Sequence, residues 1–354
     1  MLKQISLGLL GGLLLTGLAA PQVVATEAVK YRFFKDKDQH MPLNVHLVEV
    51  DLKNPQVNLG VALAKGKASG GERVSRIAER YGAVAAINGS FFHGRKIPTS
   101  VGLVMKDGEI IADSGHRRTS LGITRNNDVI IGIPKVTTGV YHAKKDRFQI
   151  ISGINQPRKS KQTIVYTPHF GKYTQTNQYG REVVVENNRV TRYSYGNTQI
   201  PANGFVLSAH GKNPQEIKQM YPVGSALHLR ARRYEPWNEV ETIITGAPHL
   251  VRSGQIYNTY FQEKLQASLK RPNARSAVGV THNRKLLLVN VFPAKKGGVT
   301  YTRLAQIMKR LGATEAMGLD GGGSTSLYIS QKGINSNRAI TNALIVTVDK
   351  NKGK

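Results

Sequence analysis

Two stretches far apart in this chain repeat one structural grammar, and that repetition limits how the chain can fold. Arg73 to Tyr81 has Val74, Ile77, Ala78 and Tyr81 on one helical face, and Gly82 follows as a helix stop. Ala83 to Ile87 then reads as a buried strand that runs into Asn88-Gly89. Tyr301 to Leu311 is again amphipathic, through Leu304, Ile307, Met308 and Leu311, and Gly312 ends it. Ala313 to Leu319 is the matching strand and runs into Asp320-Gly321. A second echo pairs two Arg-led hairpins. Arg118 to Thr124 precedes the apolar run Val129 to Ile131, and Arg275 to Thr281 precedes Leu286 to Val291. The helix comes first in one half and last in the other, so a tandem duplication is not established. An intertwined sheet built from both halves would bring Asn88 and Asp320 together.

These elements and further strand-like runs predict an α+β fold: strand-rich mixed sheets with a few flanking helices and an internal pseudo-repeat. Val29 to Phe34 and Leu43 to Val50 read as strands, as do Ile164 to Tyr166, Glu182 to Glu186 and Gly204 to Ser208. Asn213-Pro214 reads as a cap and first turn. The 354 residues suffice for a large core. No linker interrupts them, so the expected organisation is a leader (1–25), one domain (26–349) and a basic tail (350–354). Residues 141–235 are an elaboration of that domain, in which tyrosines alternate with Lys and Arg. Such a surface suits stacking on sugar rings and attraction to anions, and equally an ordinary polar edge sheet.

The leader rests on Lys3, the apolar run Leu7 to Ala20 and Val23-Val24-Ala25, the layout of a cleaved secretory signal. The expected mature protein is exported, periplasmic or secreted, with no stable membrane span. Net charge is +28, which concentrates polyanions near the surface. For an exported chain these are anionic or phosphorylated glycans rather than nucleic acid. The absence of cysteine excludes disulfides, zinc-thiolate sites and cysteine nucleophiles. The sequence leaves oligomeric state open.

The densest chemistry lies in Gly318-Leu319-Asp320-Gly321-Gly322-Gly323-Ser324-Thr325, which reads as strand, polar turn and strand. Consecutive glycines can aim backbone N–H groups at an anion. The same residues also read as a tight hairpin with a capping Asp. No Gly-x-Ser-x-Gly elbow, P-loop or His-Glu-x-x-His is present. His249, within Thr245-Gly246-Ala247-Pro248-His249-Leu250-Val251, is the histidine of most interest.

Four motifs in order resemble the phosphodiester glycosidase domain, the family of the lysosomal mannose 6-phosphate uncovering enzyme. They are Asn88-Gly89-Ser90-Phe91-Phe92, Gly246-Ala247-Pro248-His249-Leu250, Arg275-Ser276-Ala277-Val278-Gly279 and Leu319-Asp320-Gly321-Gly322-Gly323-Ser324. The resemblance covers roughly Gly82 to Val348 and implies hydrolysis of a sugar-1-phosphodiester at its glycosidic bond. It places Asp320, Asn88 and Arg275 in the catalytic centre. It assigns phosphate or substrate binding to Gly321, Gly322, Gly323, Ser324, Thr325, Thr245, Gly246 and His249. Asp320 would act as nucleophile or general base, or would hold a divalent cation; no other cofactor is implied. A non-catalytic polysaccharide-binding or cell-wall-binding protein of the same fold is the alternative. Two departures from the family stand out: the animal enzyme contains cysteine, and the basic segment has no counterpart.

Overall fold

The computed structural model describes residues 25–26, 28–37, 42–94, 96–295, 297–330, 332–334, 338–349 and 351. The leader and most of the basic tail lie outside the described residues. Among the described residues no helix is long and apolar enough to cross a membrane.

Strands dominate, and the fold is α+β. An eight-stranded sheet runs Ala25–Thr26, Val29–Lys37, Pro42–Asp51, Lys285–Pro293, Arg275–Thr281, Ala313–Gly318, His249–Arg252, Gln255–Ile256. A five-stranded sheet has Ala85–Asn88 at its centre, between Leu327–Ile329 and Asn342–Val348. A ten-stranded sheet starts at Val129–Gly132 and Ser120–Thr124. It passes through Val240–Thr245 and Leu103–Lys106 and ends at Gly180–Glu186 and Arg189–Ser194.

One apolar core joins the three sheets. Val48, Leu286 and Leu288 of the first meet Ile87 and Leu344 of the second and Leu121 and Ile244 of the third. The Tyr301–Arg310 helix covers the outer face of the eight-stranded sheet, with Leu304, Ile307 and Met308 against Leu47 and Val289. Thr300 caps it by accepting from the Arg303 amide at 3.1 Å, and Gly312 closes it at φ +85°. The Val74–Arg80 helix covers the five-stranded sheet in the same way, through Ile77 and Ala78. Each helix therefore returns the chain to a central strand, Ala85–Asn88 or Ala313–Gly318, whose C-terminal end carries a turn.

Those two turns meet. The Asp320 amide donates to the Gly89 carbonyl at 3.1 Å. The glycine turn is not a hairpin, because Ala313–Gly318 and Leu327–Ile329 belong to different sheets. It is the crossing by which the chain leaves one sheet and enters the other. The middle segment supplies the far half of the ten-stranded sheet, packed by Val183, Leu207 and Phe205 on one face and Tyr166, Phe170 and Val184 on the other.

Candidate active site

Asn88 is fully buried and binds three partners. Its Nδ2 donates to the Asp320 carbonyl at 2.7 Å, and its Oδ1 accepts from Ser276 Oγ at 2.6 Å and from the Ser326 amide at 3.0 Å. These bonds tie the eight-stranded sheet, the glycine crossing and the five-stranded sheet to one side chain. They also use the Asn88 amide within the protein, so Asn88 orients Asp320 through its backbone.

The Asp320 carboxylate sits over the crossing and accepts from the Gly321 amide at 3.0 Å. Burial raises its pKa to about 6; the neighbouring Ser324 hydroxyl, the Gly321 amide, Arg338 and Arg275 pull the other way. The expected open anion nest is therefore already engaged. Gly321 N–H serves Asp320, and Gly322 N–H donates to the Ala274 carbonyl at 2.8 Å. The Ser324 and Thr325 amides close the short 3₁₀ turn Gly322–Ser324 on Gly321 and Gly322. Gly323 packs under Arg338, whose Nη1 lies 3.2 Å from where a Cβ would stand. The Ser324 hydroxyl is turned toward the Asp320 carboxylate, and the group with an unspent donor is the buried Thr325 hydroxyl, which has no partner at hydrogen-bond geometry among the described residues.

Arg275 is buried beneath this crossing. Its Nε donates to the Val299 carbonyl at 3.0 Å, and its Nη2 donates to the Leu269 and Arg271 carbonyls at 2.8 and 2.7 Å. The guanidinium stacks on the Tyr301 ring, 4.0 Å from its centroid. Burial lowers its pKa. Nη1 is the arm directed at the turn, 3.5 Å from a Cβ built on Gly321. Arg275 thus presents one arm of its fork, not two.

The remaining motif residues divide. Thr245 is buried in the ten-stranded sheet, where its Oγ1 accepts from the Leu103 amide at 2.9 Å and donates to the Leu103 carbonyl at 2.8 Å. Gly246 lets two sheets touch, because a Cβ there would overlap the Gly318 carbonyl oxygen. Both residues build the back of the site and spend their polar groups on the fold. His249 faces elsewhere. It pairs with Glu315 at 2.9 Å, five residues before Asp320 on the same stretch of chain. With Arg252, Tyr257, Glu263 and Glu315 it lines a separate cavity of about 860 Å³. The structure does not bring it to the Asp320 carboxylate.

Three further side chains gather there. Arg338 lies beside Asp320 and over Phe92 of the Asn88 motif, 6.0 Å from the ring centroid. Tyr301 is buried with its hydroxyl unpartnered among the described residues, and burial pushes its pKa up to about 12. Arg118 is close enough to Tyr301 to counter that rise. Arg118 had a sequence signal, since its hairpin echoes that of Arg275. Tyr301 had none, because the first residue of an amphipathic helix reads as core. Among the described residues no three of His, Cys, Asp and Glu gather to hold a metal ion.

The crossing thus combines a carboxyl group of raised pKa with a surround of guanidinium groups and hydroxyls, the equipment of a site for an anionic ester. The sequence model of the phosphodiester glycosidase family matches residues 179–347, and the chain resembles that family's domain. Solved structures share the fold. A hypothetical protein from Synechocystis aligns over 94% of this chain at 22% identity with a TM-score of 0.82. The chain spans 64% of that protein's length. A candidate exported protein from Burkholderia pseudomallei aligns over 86% of this chain and 74% of its own, at 21% identity and TM-score 0.70. The zebrafish N-acetylglucosamine-1-phosphodiester alpha-N-acetylglucosaminidase catalytic domain, auto-inhibited by its pro-peptide, aligns over 93% of this chain and 87% of its own. Its identity is 16% and its TM-score 0.52. No curated protein matches the sequence at a significant level.

Proposed function

We propose that this chain is a hydrolase that cleaves the glycosidic bond of a sugar-1-phosphodiester. The observation that carries the reading is the Asp320 carboxyl, raised to about 6 by burial yet flanked by Arg275 and Arg338. The family match over 179–347 and the fold shared with the zebrafish domain point the same way. Export is part of the proposal. It is supported by the leader-like Lys3 and Leu7 to Ala20 pattern and by the exported character given to the Burkholderia relative.

The chemistry needs little beyond these groups. Water bonds to the anomeric carbon, the C1–O bond breaks, and its electron pair leaves on a phosphate monoester. That leaving group is a stable anion, so it requires charge stabilisation more than a proton. In this reading Arg275 Nη1, Arg338 and the Thr325 hydroxyl supply it. Asp320 takes the proton of the attacking water, and its elevated pKa makes it a stronger base than an ordinary aspartate at neutral pH. Glycosidases of either stereochemical outcome ordinarily use two carboxylates, but with a leaving group that needs no proton a single carboxylate is enough for this displacement, which inverts the anomeric centre. The test is to follow the anomer first released from a synthetic α-sugar-1-phosphodiester by NMR. Release of the β anomer fits the single displacement, and release of the α anomer makes Asp320 the nucleophile. No release from a broad panel of sugars favours the non-catalytic glycan-binding alternative.

A further inference from the structure

We infer that one end of the ten-stranded sheet is an extended binding row for a polyanionic glycan strand, leading into the Asp320 site. The inference rests on the hydrolase reading for what the row feeds, and on geometry and charge for the row itself.

Strand register fixes which loops share that end. Thr163 pairs with Ala209, Gly180 with His210 and Glu182 with Ser194. Ile154 pairs with Asp113, Leu103 with Asp113, Ile244 with Val104 and Ser120 with Thr245. The loops beside Thr163, His210, Gly180 and Ser194 therefore line the same edge as Arg118 and Gly246. Seven strand spacings separate Thr245 from Ser194, a path of about 34 Å at ~4.8 Å each. Side-chain electrostatics agree with the topology. His93, which follows the Asn88 motif, is depressed by burial and by Lys159, Arg118 and His116 together. Gly246, at the same end of the sheet, packs against the Gly318 carbonyl two residues before Asp320, so the row begins at the site.

Its composition is one-sided. Residues 114–118, 156–162, 172–181, 194–199 and 210–213 contain eight Lys and Arg and no Asp or Glu; two of the eight meet carboxylates just outside these loops, Arg117 at Asp113 (2.8 Å) and Lys212 at Glu216 (3.8 Å), which leaves six. Lys159 and Lys161 are exposed. Tyr179 and Tyr195 are 64% and 61% exposed, far more than the fold needs of an aromatic. The Arg181 guanidinium lies 4.7 Å from the Tyr195 ring centroid, so a flat apolar face and a cation are offered side by side. Diffuse net charge would aid solubility without such pairing. Rings beside cations on one edge suit a strand that alternates sugar faces with anionic links.

The experiment uses the full chain and two double variants, Lys159→Gln/Lys161→Gln and Tyr179→Ala/Tyr195→Ala. Binding is measured by calorimetry to a polysaccharide with hexose-1-phosphate backbone linkages, to neutral dextran and to oligo-dT. Turnover of a small sugar-1-phosphodiester is measured in parallel. The row predicts that each double variant binds the anionic polysaccharide ~10-fold or more weakly, which is worth about 1.4 kcal/mol. Small-diester turnover should be unchanged and dextran should not bind. Unchanged polysaccharide affinity in both variants overturns the row. So does oligo-dT binding as tight as the polysaccharide, which would assign the edge to nucleic acid. An inactive wild type that still loses polysaccharide binding in the variants would sink the hydrolase reading and leave the row standing.

Discussion

The Asn88 side chain holds the main chain of Asp320: Nδ2 donates to the Asp320 carbonyl at 2.7 Å across 232 residues of sequence. Removing it leaves the Ser276 hydroxyl, the Ser326 amide and the Asp320 carbonyl without their buried partner. Asn88→Ala should therefore cost about 2–4 kcal/mol in urea unfolding and lower activity together with stability. Asn88→Asp should be worse, because a buried acceptor would then face a carbonyl. A stable Asn88→Ala protein with activity alone abolished would instead put Asn88 in direct contact with substrate.

Asp320 should cost the fold stability at neutral pH. Its carboxyl titrates near 3.8 when unfolded and at about 6 when folded. Between these values the native state holds the extra proton, so stability falls as pH rises through the window and the loss is complete above about 6. The shift corresponds to up to about 3 kcal/mol. Asp320→Asn should be more stable than wild type at pH 8 and lose that advantage by pH 4. Denaturation curves at both pH values check this, and equal stability at pH 8 would contradict it.

Arg275 serves the fold as well as the site, through three backbone carbonyls and the Tyr301 ring. A lysine cannot reproduce that fork. Arg275→Lys should therefore unfold at lower urea and lose sugar release, with no rescue by the retained charge. Near-wild-type stability in Arg275→Lys would show the carbonyl contacts to be dispensable.

Two motif residues should separate by mechanism. Gly246→Ala forces a Cβ into the Gly318 carbonyl and should cost about 1–3 kcal/mol through strain between sheets. His249→Ala alters a different cavity, with Glu315 and Glu263, and should leave small-diester turnover within about twofold, a change under ~0.5 kcal/mol. Both are read from melting curves and initial rates. A His249→Ala protein that folds normally but turns over at a small fraction of wild type would return His249 to the site.

The sequence made the frame of this site legible because its signals are local. The helix stops at Gly82 and Gly312, the alternation in Leu43 to Val50 and the cap at Asn213 each report on a few neighbouring residues. The Tyr301–Arg310 and Val74–Arg80 helices fall where periodicity placed them. The state of the glycine turn was not legible. Whether its N–H groups stay open depends on Ala274 and on the carboxylate beside them, which are settled by tertiary contact. Arg338 and Tyr301 reach Asp320 only because strands from different sheets end together, a non-local event that spacing does not record. His249 looked like a neighbour of the site because its motif is. Its strand turns the imidazole toward Glu315 instead.

The most direct test of the central claim is sugar release from a sugar-1-phosphodiester by wild type and Asp320→Asn across pH, with inhibition by inorganic phosphate measured on both proteins. Wild-type kcat/KM should fall below pH about 6 as the Asp320 base takes up a proton. Asp320→Asn should lose roughly 10²–10⁴-fold in turnover, the usual contribution of a positioned acid or base, while binding phosphate as well as wild type or better. Near-wild-type release by Asp320→Asn, or a wild-type profile flat from pH 4.5 to 8, would contradict the account.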